Sequence, residues 1–292
     1  MPIARPPVPT PARPRESTLT TLTAFAALPM SVTDEEGNFS PPGIGEFFPI
    51  PFTVGGEPVF DRIMLVRLIA MAAVVLVMVL YVQRARLVPS RYSSTVEFGL
   101  DLVRTQVAEQ ILGQKDGRRF LPLLATFFFL IFALNITGIV PLLNIGGTSV
   151  IGVPLLLAAI SYLTFIVVGI RAQGVGGYFQ SNLFPPGVPK PLYLLVTPIE
   201  FASTFLIRPF SLTIRLLANL IAGHLLLVLC FKSTQYFLEE LLSGNALGAM
   251  FVLTLVGGFA FTLFEILVAV LQAYIFTLLT AVYISGALHP EH

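Results

Sequence analysis

Residues 211–230, "SLTIRLLANLIAGHLLLVLC", form an apolar sequence that Arg215, Asn219 and His224 interrupt. A segment of this length matches the bilayer core, which is about 30 Å thick and is crossed at about 1.5 Å per helical residue. An arginine at the centre of a membrane helix costs about 2.5–3.5 kcal/mol, and such residues usually face a bundle interior or a wet cavity. The stretch therefore predicts a membrane helix with a polar site, although a structural salt bridge would also explain Arg215.

The composition of the whole chain agrees with this interpretation. Hydrophobic residues make up 55% and charged residues 11% of its 292 residues, and the mean hydropathy is +0.85. These values predict an integral membrane protein. The net charge of +1 does not indicate nucleic-acid binding. Since no nucleotide-binding loop, serine-hydrolase elbow or metal-ligand cluster is present, we expect no metal, no cofactor and no nucleotide held by this chain.

Five apolar runs predict five membrane-crossing helices in an all-α protein. Their approximate bounds are 63–82, 121–141, 150–170, 192–231 and 246–288. The second and third runs are joined by "NIGGTS", residues 144–149, and predict a hairpin.

Each of the last two runs has about 40 residues, or roughly 60 Å if helical, which is twice what a perpendicular crossing needs. Each therefore either folds back or forms one long helix. We favour a pair of long, strongly tilted helices, because neither run has a turn cluster near its middle.

Two further segments lie between the spans. In the first segment, apolar residues recur at spacings of three and four, and charged residues lie between them. The apolar residues are Val96, Leu100, Val103, Val107 and Ile111. This pattern predicts an amphipathic helix at the membrane surface, or alternatively a helix that faces a cytosolic partner. The segment "RAQGVGGYFQSNLFPPGVPKP", residues 171–191, is rich in glycine and proline and predicts a loop.

Two domains are expected, an N-terminal extension at 1–60 and a membrane domain at 61–292. Proline-rich sequence predicts that the extension is largely irregular. The short apolar run within residues 1–29 is either a transit or signal-like segment, or lies upstream of a true start at Met30.

Basic residues concentrate in the segments 83–119 and 171–190, which the positive-inside rule places in the cytoplasm. Five crossings then leave the N-terminus outside and the C-terminus inside.

The polar residues of the fourth run divide between two sides of a helix. At about 100° per residue, Arg208, Arg215 and Asn219 project to one side and His224 to the other. A guanidinium stays charged at any accessible pH, so Arg215 cannot relay protons itself. It can attract a carboxylate and repel other cations. Because acidic residues are nearly absent from the spans, we expect its partner carboxylate to come from another subunit.

The fifth run supplies the acid that could work with His224. Glu265 and Gln272 are seven residues apart and share a helix face, so two packed helices could bring His224 and Glu265 into one polar cavity. Histidine and carboxylate groups exchange protons with water at ordinary pH. The simpler alternatives are that His224 and Glu265 only hydrogen-bond each other, and that Glu200 caps a helix or pairs with Arg208.

Two segments carry a resemblance to a known family. "RPFSLTIRLLANLIAGHLLL", residues 208–227, and "FEILVAVLQAYIFTLLTAVYI", residues 264–284, resemble subunit a of the F-type ATP synthase, as do "NITGIVP" and "YFQSNLFPPGVPKPLY". The similarity runs from about residue 40 to the C-terminus and is greatest to high-GC Gram-positive bacteria.

The resemblance implies a proton-translocating stator that forms two half-channels against a rotating ring of subunit c. Its other implied partners are subunit b, the remaining synthase subunits and membrane lipid. ATP chemistry would lie in other subunits. The implied location is the bacterial plasma membrane, with the mitochondrial inner membrane as the alternative.

The resemblance also implies roles for individual residues. Arg215 would meet each ring carboxylate and block direct proton leak, with Asn219 and Gln272 beside it. His224 and Glu265 would line the half-channel open to the outside, and Glu200 the cytoplasmic one. Asn135 also matches a position of the family's sequence pattern. Gly138 stands where some bacterial members have an aspartate, which argues against an acidic contribution from this hairpin.

Other functions fit the sequence less well. A secondary transporter would show inverted repeats with matching broken helices, and none is visible. A voltage sensor would need arginines at every third position. A purely structural membrane subunit is the remaining alternative. In that case the polar residues would only satisfy one another's hydrogen bonds within the packed protein.

Overall fold

The computed structural model describes residues 39–43, 52–54, 57–60, 62–83, 91–140, 146–184 and 192–289. Most of the predicted N-terminal extension, including Met30 and the apolar run before it, lies outside these residues. The chain divides into two compact units, Met1–Ser40 and Pro41–His292, and every element below belongs to the second.

A short hairpin precedes the helices. Strand β1, Phe52–Val54, pairs antiparallel with β2, Glu57–Phe60. The proline content of this region did not predict these strands, but Pro58 lies in a two-stranded ladder, where both strands are edges and the missing N–H is tolerated.

The membrane domain is all-α, as predicted. The helices in chain order are α1, Arg62–Gln83; α2, Arg91–Asp101; α3, Gln110–Ile136; α4, Gly152–Leu183; α5, Tyr193–Ala202; α6, Arg208–Leu242; and α7, Met250–Leu288. Two π-helical segments, Leu102–Glu109 and Ser203–Ile207, join α2 to α3 and α5 to α6. In the described part of the chain, five helical stretches are long and apolar enough to cross a membrane.

The two C-terminal runs do not fold back on themselves. Residues 193–242 form one helical stretch of 50 residues, and residues 246–288 form another of 43. The sequence prediction of two long helices is confirmed, because Pro198 and Pro209 are both accommodated within the first stretch.

Gly113 divides the predicted amphipathic segment from the second span. Its φ of 77° lies in the left-handed region, and the chain reverses there. A Cβ at Gly117 would lie 2.7 Å from the Ala108 carbonyl oxygen, and one at Gly99 would lie 3.0 Å from the Phe129 ring. The segment before Gly113 therefore runs back along α3.

The apolar face of this amphipathic segment packs into the protein, since Val103 and Val107 are fully buried.

A similar reversal corrects the first part of the predicted loop at 171–191; residues 185–191 lie outside the described residues. Helix α4 continues to Leu183 and turns back at Gly174, where φ is 76°. Tyr178 then packs directly on Gly169, within the same helix pair. Because glycine permits the reversal, the backbone hydrogen bonds of residues 171–183 are made by helix rather than by loop.

Helix α7 organises the core. Its C-terminal half contributes Ala273, Phe276, Ala281 and Ile284 to the buried cluster. Helices α3, α4 and α6 all pack on it. The two helices of the predicted α3–α4 hairpin make few contacts with each other; both pack on α7, and α3 also packs on the π-helical segment Leu102–Glu109.

Candidate functional site

The candidate site forms where α6 and α7 approach each other most closely. A Cβ at Gly223 would overlap the carboxylate of Glu265. Only glycine therefore lets this carboxylate lie against the backbone of α6. The next residue, His224, is buried with 6% of its surface exposed. The close approach of the helices thus places an acid and a histidine at one level of the membrane domain.

A small polar cavity lies at this level. Four polar side chains from three helices line it: Asn135 of α3, Asn219 of α6, and Glu265 and Gln272 of α7. The space open to the centre of a water molecule is about 10 Å³, which is close to the least that holds one water. Three helices that are distant in sequence therefore converge on room for one water next to a carboxylate.

Two of the three amides that line the cavity keep hydrogen-bonding capacity. Asn219 Nδ2 lies 3.5 Å from Gln272 Oε1, at the limit of a hydrogen bond. Gln272 Nε2 is buried and has no hydrogen-bond partner among the described residues. A buried amide of this kind costs free energy unless water or another group satisfies it. The arrangement suits a hydrated polar cavity better than a closed structural contact.

Arg215 lies one helical turn before Asn219 and is half-buried. The cavity-lining Leu216 follows it directly. Within the described parts of the chain, Arg215 makes no hydrogen bond or salt bridge. A structural salt bridge within those parts therefore does not explain why the arginine is there, and a charge from elsewhere is needed to balance it.

Arg208 and Glu200 do not form the ion pair that the sequence offered as an alternative. The Arg208 guanidinium carbon lies 5.2 Å from the centre of the Tyr283 ring, which is a cation–π contact with α7. Glu200, half-buried on α5, makes no salt bridge within the described residues. The π-helical turn 203–207 stands between the two residues and changes the helical phase that the eight-residue spacing assumed.

The cavity brings Asn219 together with Glu265 and Gln272, whereas His224 is not among its lining residues. This cavity is therefore not the shared one that the sequence predicted for His224 and Glu265; Glu265 instead approaches α6 at Gly223, the residue before His224. The placement of His224 on a different side of α6 from Asn219 stays a prediction.

Sequence reasoning missed the loop that closes the cavity region. Gly146, Gly147, Thr148 and Ser149 are all buried. A Cβ at Gly146 would overlap the Leu220 side chain, so the loop reaches the middle of α6. Two adjacent glycines in an uncharged turn were the available signal for such a close approach.

Comparison with known proteins shows to which family the chain belongs. The family model described as ATP synthase A chain matches residues 64–285, which include all four polar residues of the cavity. The chain belongs to this family.

Curated relatives span most of its length. A protein named ATP synthase subunit a from Rhodococcus erythropolis is 46% identical over 254 residues, covering 87% of this chain and 92% of that one. Proteins of the same name from Pseudarthrobacter chlorophenolicus and Streptomyces lividans are 37% and 35% identical and cover 88% and 80% of this chain.

These findings confirm the resemblance to high-GC Gram-positive bacteria. The family member described here is a multi-pass protein of the bacterial plasma membrane, and its function is that of the proton-translocating stator subunit of F-type ATP synthase.

Proposed function

We propose that Arg215 is the gate between two half-channels that meet a rotating ring of carboxylate-bearing subunits. The observation that carries the proposal is the half-buried arginine, which has no salt bridge within the described residues and whose neighbour in sequence, Leu216, lines the polar cavity that contains Glu265. A fixed cation at this position attracts a carboxylate that arrives in the membrane plane and favours its ionised form. It also repels a proton that would pass directly between the half-channels.

The cavity forms the inner end of the half-channel that opens to the outside. Protons arrive past His224 and Glu265, two groups that exchange protons with water at ordinary pH. A ring carboxylate that accepts a proton becomes neutral and can then move into lipid without the cost of burying charge.

Glu200 serves the half-channel that opens to the cytoplasm. It lies on α5, in the same continuous helical stretch as Arg215 but nearer its N-terminal end. A ring carboxylate would release its proton there after nearly a full turn. The driving force is the transmembrane potential, about 2.3 kcal/mol per charge per 100 mV, together with the pH difference.

The partners of this arrangement are the subunit c ring against α6 and α7, and subunit b of the peripheral stalk. The N-terminus lies outside and the C-terminus in the cytoplasm, because basic residues concentrate in 83–119 and 171–190. The two long helices cross the membrane at a strong tilt, since 50 and 43 helical residues exceed a perpendicular crossing.

The test is Arg215→Ala in the whole synthase complex, reconstituted in vesicles. We expect proton-driven ATP synthesis to be abolished and the passive proton leak to rise, while the ring still co-purifies. The control is Arg171→Ala, because Arg171 is an exposed arginine on α4. Near-normal coupled synthesis by Arg215→Ala would refute the gate.

A further inference from the structure

The loop 146–150 and the helix α1 carry polar contacts that the proposed gate does not use. Thr148 Oγ1 donates a hydrogen bond of 2.8 Å to Asn135 Oδ1, and both residues are buried. Asn135 in turn lines the cavity that contains Glu265. The loop is therefore connected to the candidate proton pathway through a single hydroxyl.

The same loop is held from three sides. Arg67 of α1 donates from Nε to the Gly147 carbonyl at 2.9 Å. The Gly147 amide donates to Thr137 Oγ1 at 3.2 Å and to the Leu134 carbonyl at 2.9 Å. A charged donor gives a stronger hydrogen bond than a neutral one, so the Arg67 contact ties α1 firmly to this turn.

Close packing makes the position of the loop specific. A Cβ at Gly147 would overlap the Leu134 side chain, and one at Gly138 would lie 3.4 Å from the Gly146 backbone. A side chain at Gly147 would therefore push the loop away from α3, whereas one at Gly138 would make only ordinary van der Waals contact. The fit therefore brings Thr148 to Asn135 at a position that only a close backbone approach allows.

One more polar atom on the loop is available to water. The hydroxyl of Ser149 is buried and has no hydrogen-bond partner within the described residues. A buried hydroxyl without a partner is a site where an ordered water can be held. The loop thus carries two buried hydroxyl groups: that of Thr148, which donates to Asn135, and that of Ser149, the next residue.

We propose that Thr148 is a positioning residue for proton uptake: it orients Asn135 toward the cavity, and Arg67 holds the loop that presents Thr148. This proposal rests on the proposed function of the cavity. Because Thr148 Oγ1 donates to Asn135 Oδ1, the Asn135 amide nitrogen is directed elsewhere and can donate to cavity water or to the Glu265 carboxylate. Removal of the hydroxyl lets the Asn135 side chain rotate and lose this orientation.

The test compares Thr148→Val, which removes the hydroxyl at nearly constant volume, with Thr148→Ser, which retains it. Both are measured in the intact synthase in vesicles, as the rate of proton-driven ATP synthesis against the pH of the proton-donating side. We expect Thr148→Val to lower the rate about three- to tenfold and to alter the pH profile, because one buried hydrogen bond is lost. Thr148→Ser should restore most of the rate.

The matched control is Thr164→Val. Thr164 lies on α4, and its hydroxyl bonds only to the Ile160 carbonyl one turn earlier in the same helix. Co-purification of the ring with each variant distinguishes a loss of assembly from a loss of flux. If Thr148→Val with an assembled ring behaves like Thr164→Val, the proposal is overturned.

A second variant tests the loop separately from the hydroxyl. Arg67→Ala should lower the rate in the same direction as Thr148→Val, and Arg67→Lys should recover part of it, because a lysine can still donate to the Gly147 carbonyl. If Arg67 and Thr148 both act through the loop, the double variant should lower the rate by no more than about the larger of the two single effects. Fully multiplicative effects would refute the link between Arg67 and Thr148.

These results are separable from the gate. If Arg215→Ala retains coupled synthesis, the proposed function itself fails. If Arg215→Ala abolishes synthesis while Thr148→Val and Arg67→Ala are normal, only the role of the loop is wrong.

Discussion

Replacement of Gly223 by alanine tests the geometry of the site most directly. The added Cβ would overlap the Glu265 carboxylate, so one of the two must move. The carboxylate is the end of a flexible side chain, and it can move by a rotamer change that costs about 0.5–1.5 kcal/mol. We therefore expect the protein to fold and assemble, with the Glu265 carboxylate displaced from its position against the backbone of α6.

The size of the displacement sets the expected effect on function. Ordinary van der Waals contact begins at 3.4 Å, so the carboxylate must retreat by roughly 1 Å or more. Proton transfer needs donor and acceptor within about 2.6–3.2 Å, or one water between them. Misplacement by about 1 Å can reduce a rate by up to about 100-fold. We expect Gly223→Ala to lower proton-driven ATP synthesis by at least tenfold on the same reasoning.

The assay is ATP synthesis by the reconstituted complex, with ring co-purification as the measure of assembly. Gly286→Ala is the matched control, because a Cβ at this exposed glycine of α7 meets no atom within 4 Å. A second variant, Gly223→Ala with Glu265→Asp, shortens the acid by one methylene and should recover part of the rate. Equal rates for Gly223→Ala and Gly286→Ala would refute the reasoning.

Three further outcomes are expected. Glu265→Gln should slow proton flux and shift its dependence on outside pH, because an amide does not titrate; an unchanged profile would count against a relay role. Gln272→Leu removes a buried amide nitrogen without a partner in the described residues, so the melting temperature of the complex should stay unchanged while the proton flux falls. A normal proton flux would show that the Gln272 amide has only a packing role. Gly117→Ala should destabilise the complex by about 1–3 kcal/mol, since its Cβ would lie 2.7 Å from the Ala108 carbonyl oxygen; a melting temperature equal to that of Gly176→Ala, where the space is open, would contradict this.

The exposed surface of α7 agrees with a lipid or partner environment. Large apolar side chains of its N-terminal half are exposed, among them Leu253, Val256, Phe259 and Leu263. Hydrophobic residues at such density on one helix are stable only when another apolar phase covers them. The C-terminal half, by contrast, contributes Ala273, Phe276, Ala281 and Ile284 to the buried core.

The number of spans, their approximate bounds and the choice of long helices over hairpins followed from the sequence alone. A bilayer imposes one length and one composition on any crossing helix, and both are local properties of the sequence. The candidate residues Arg215, His224, Glu265 and Gln272 were also visible, because a polar group in an apolar run is conspicuous without any tertiary information.

Which of these residues lie close together depends on how the helices pack against one another. The reversals at Gly113 and Gly174 depend on a positive φ that the sequence permits but does not require. The close approach at Gly223 and the buried loop at 146–149 depend on contacts between residues tens of positions apart. Such contacts are set by packing across helices, and no periodicity within one helix encodes them.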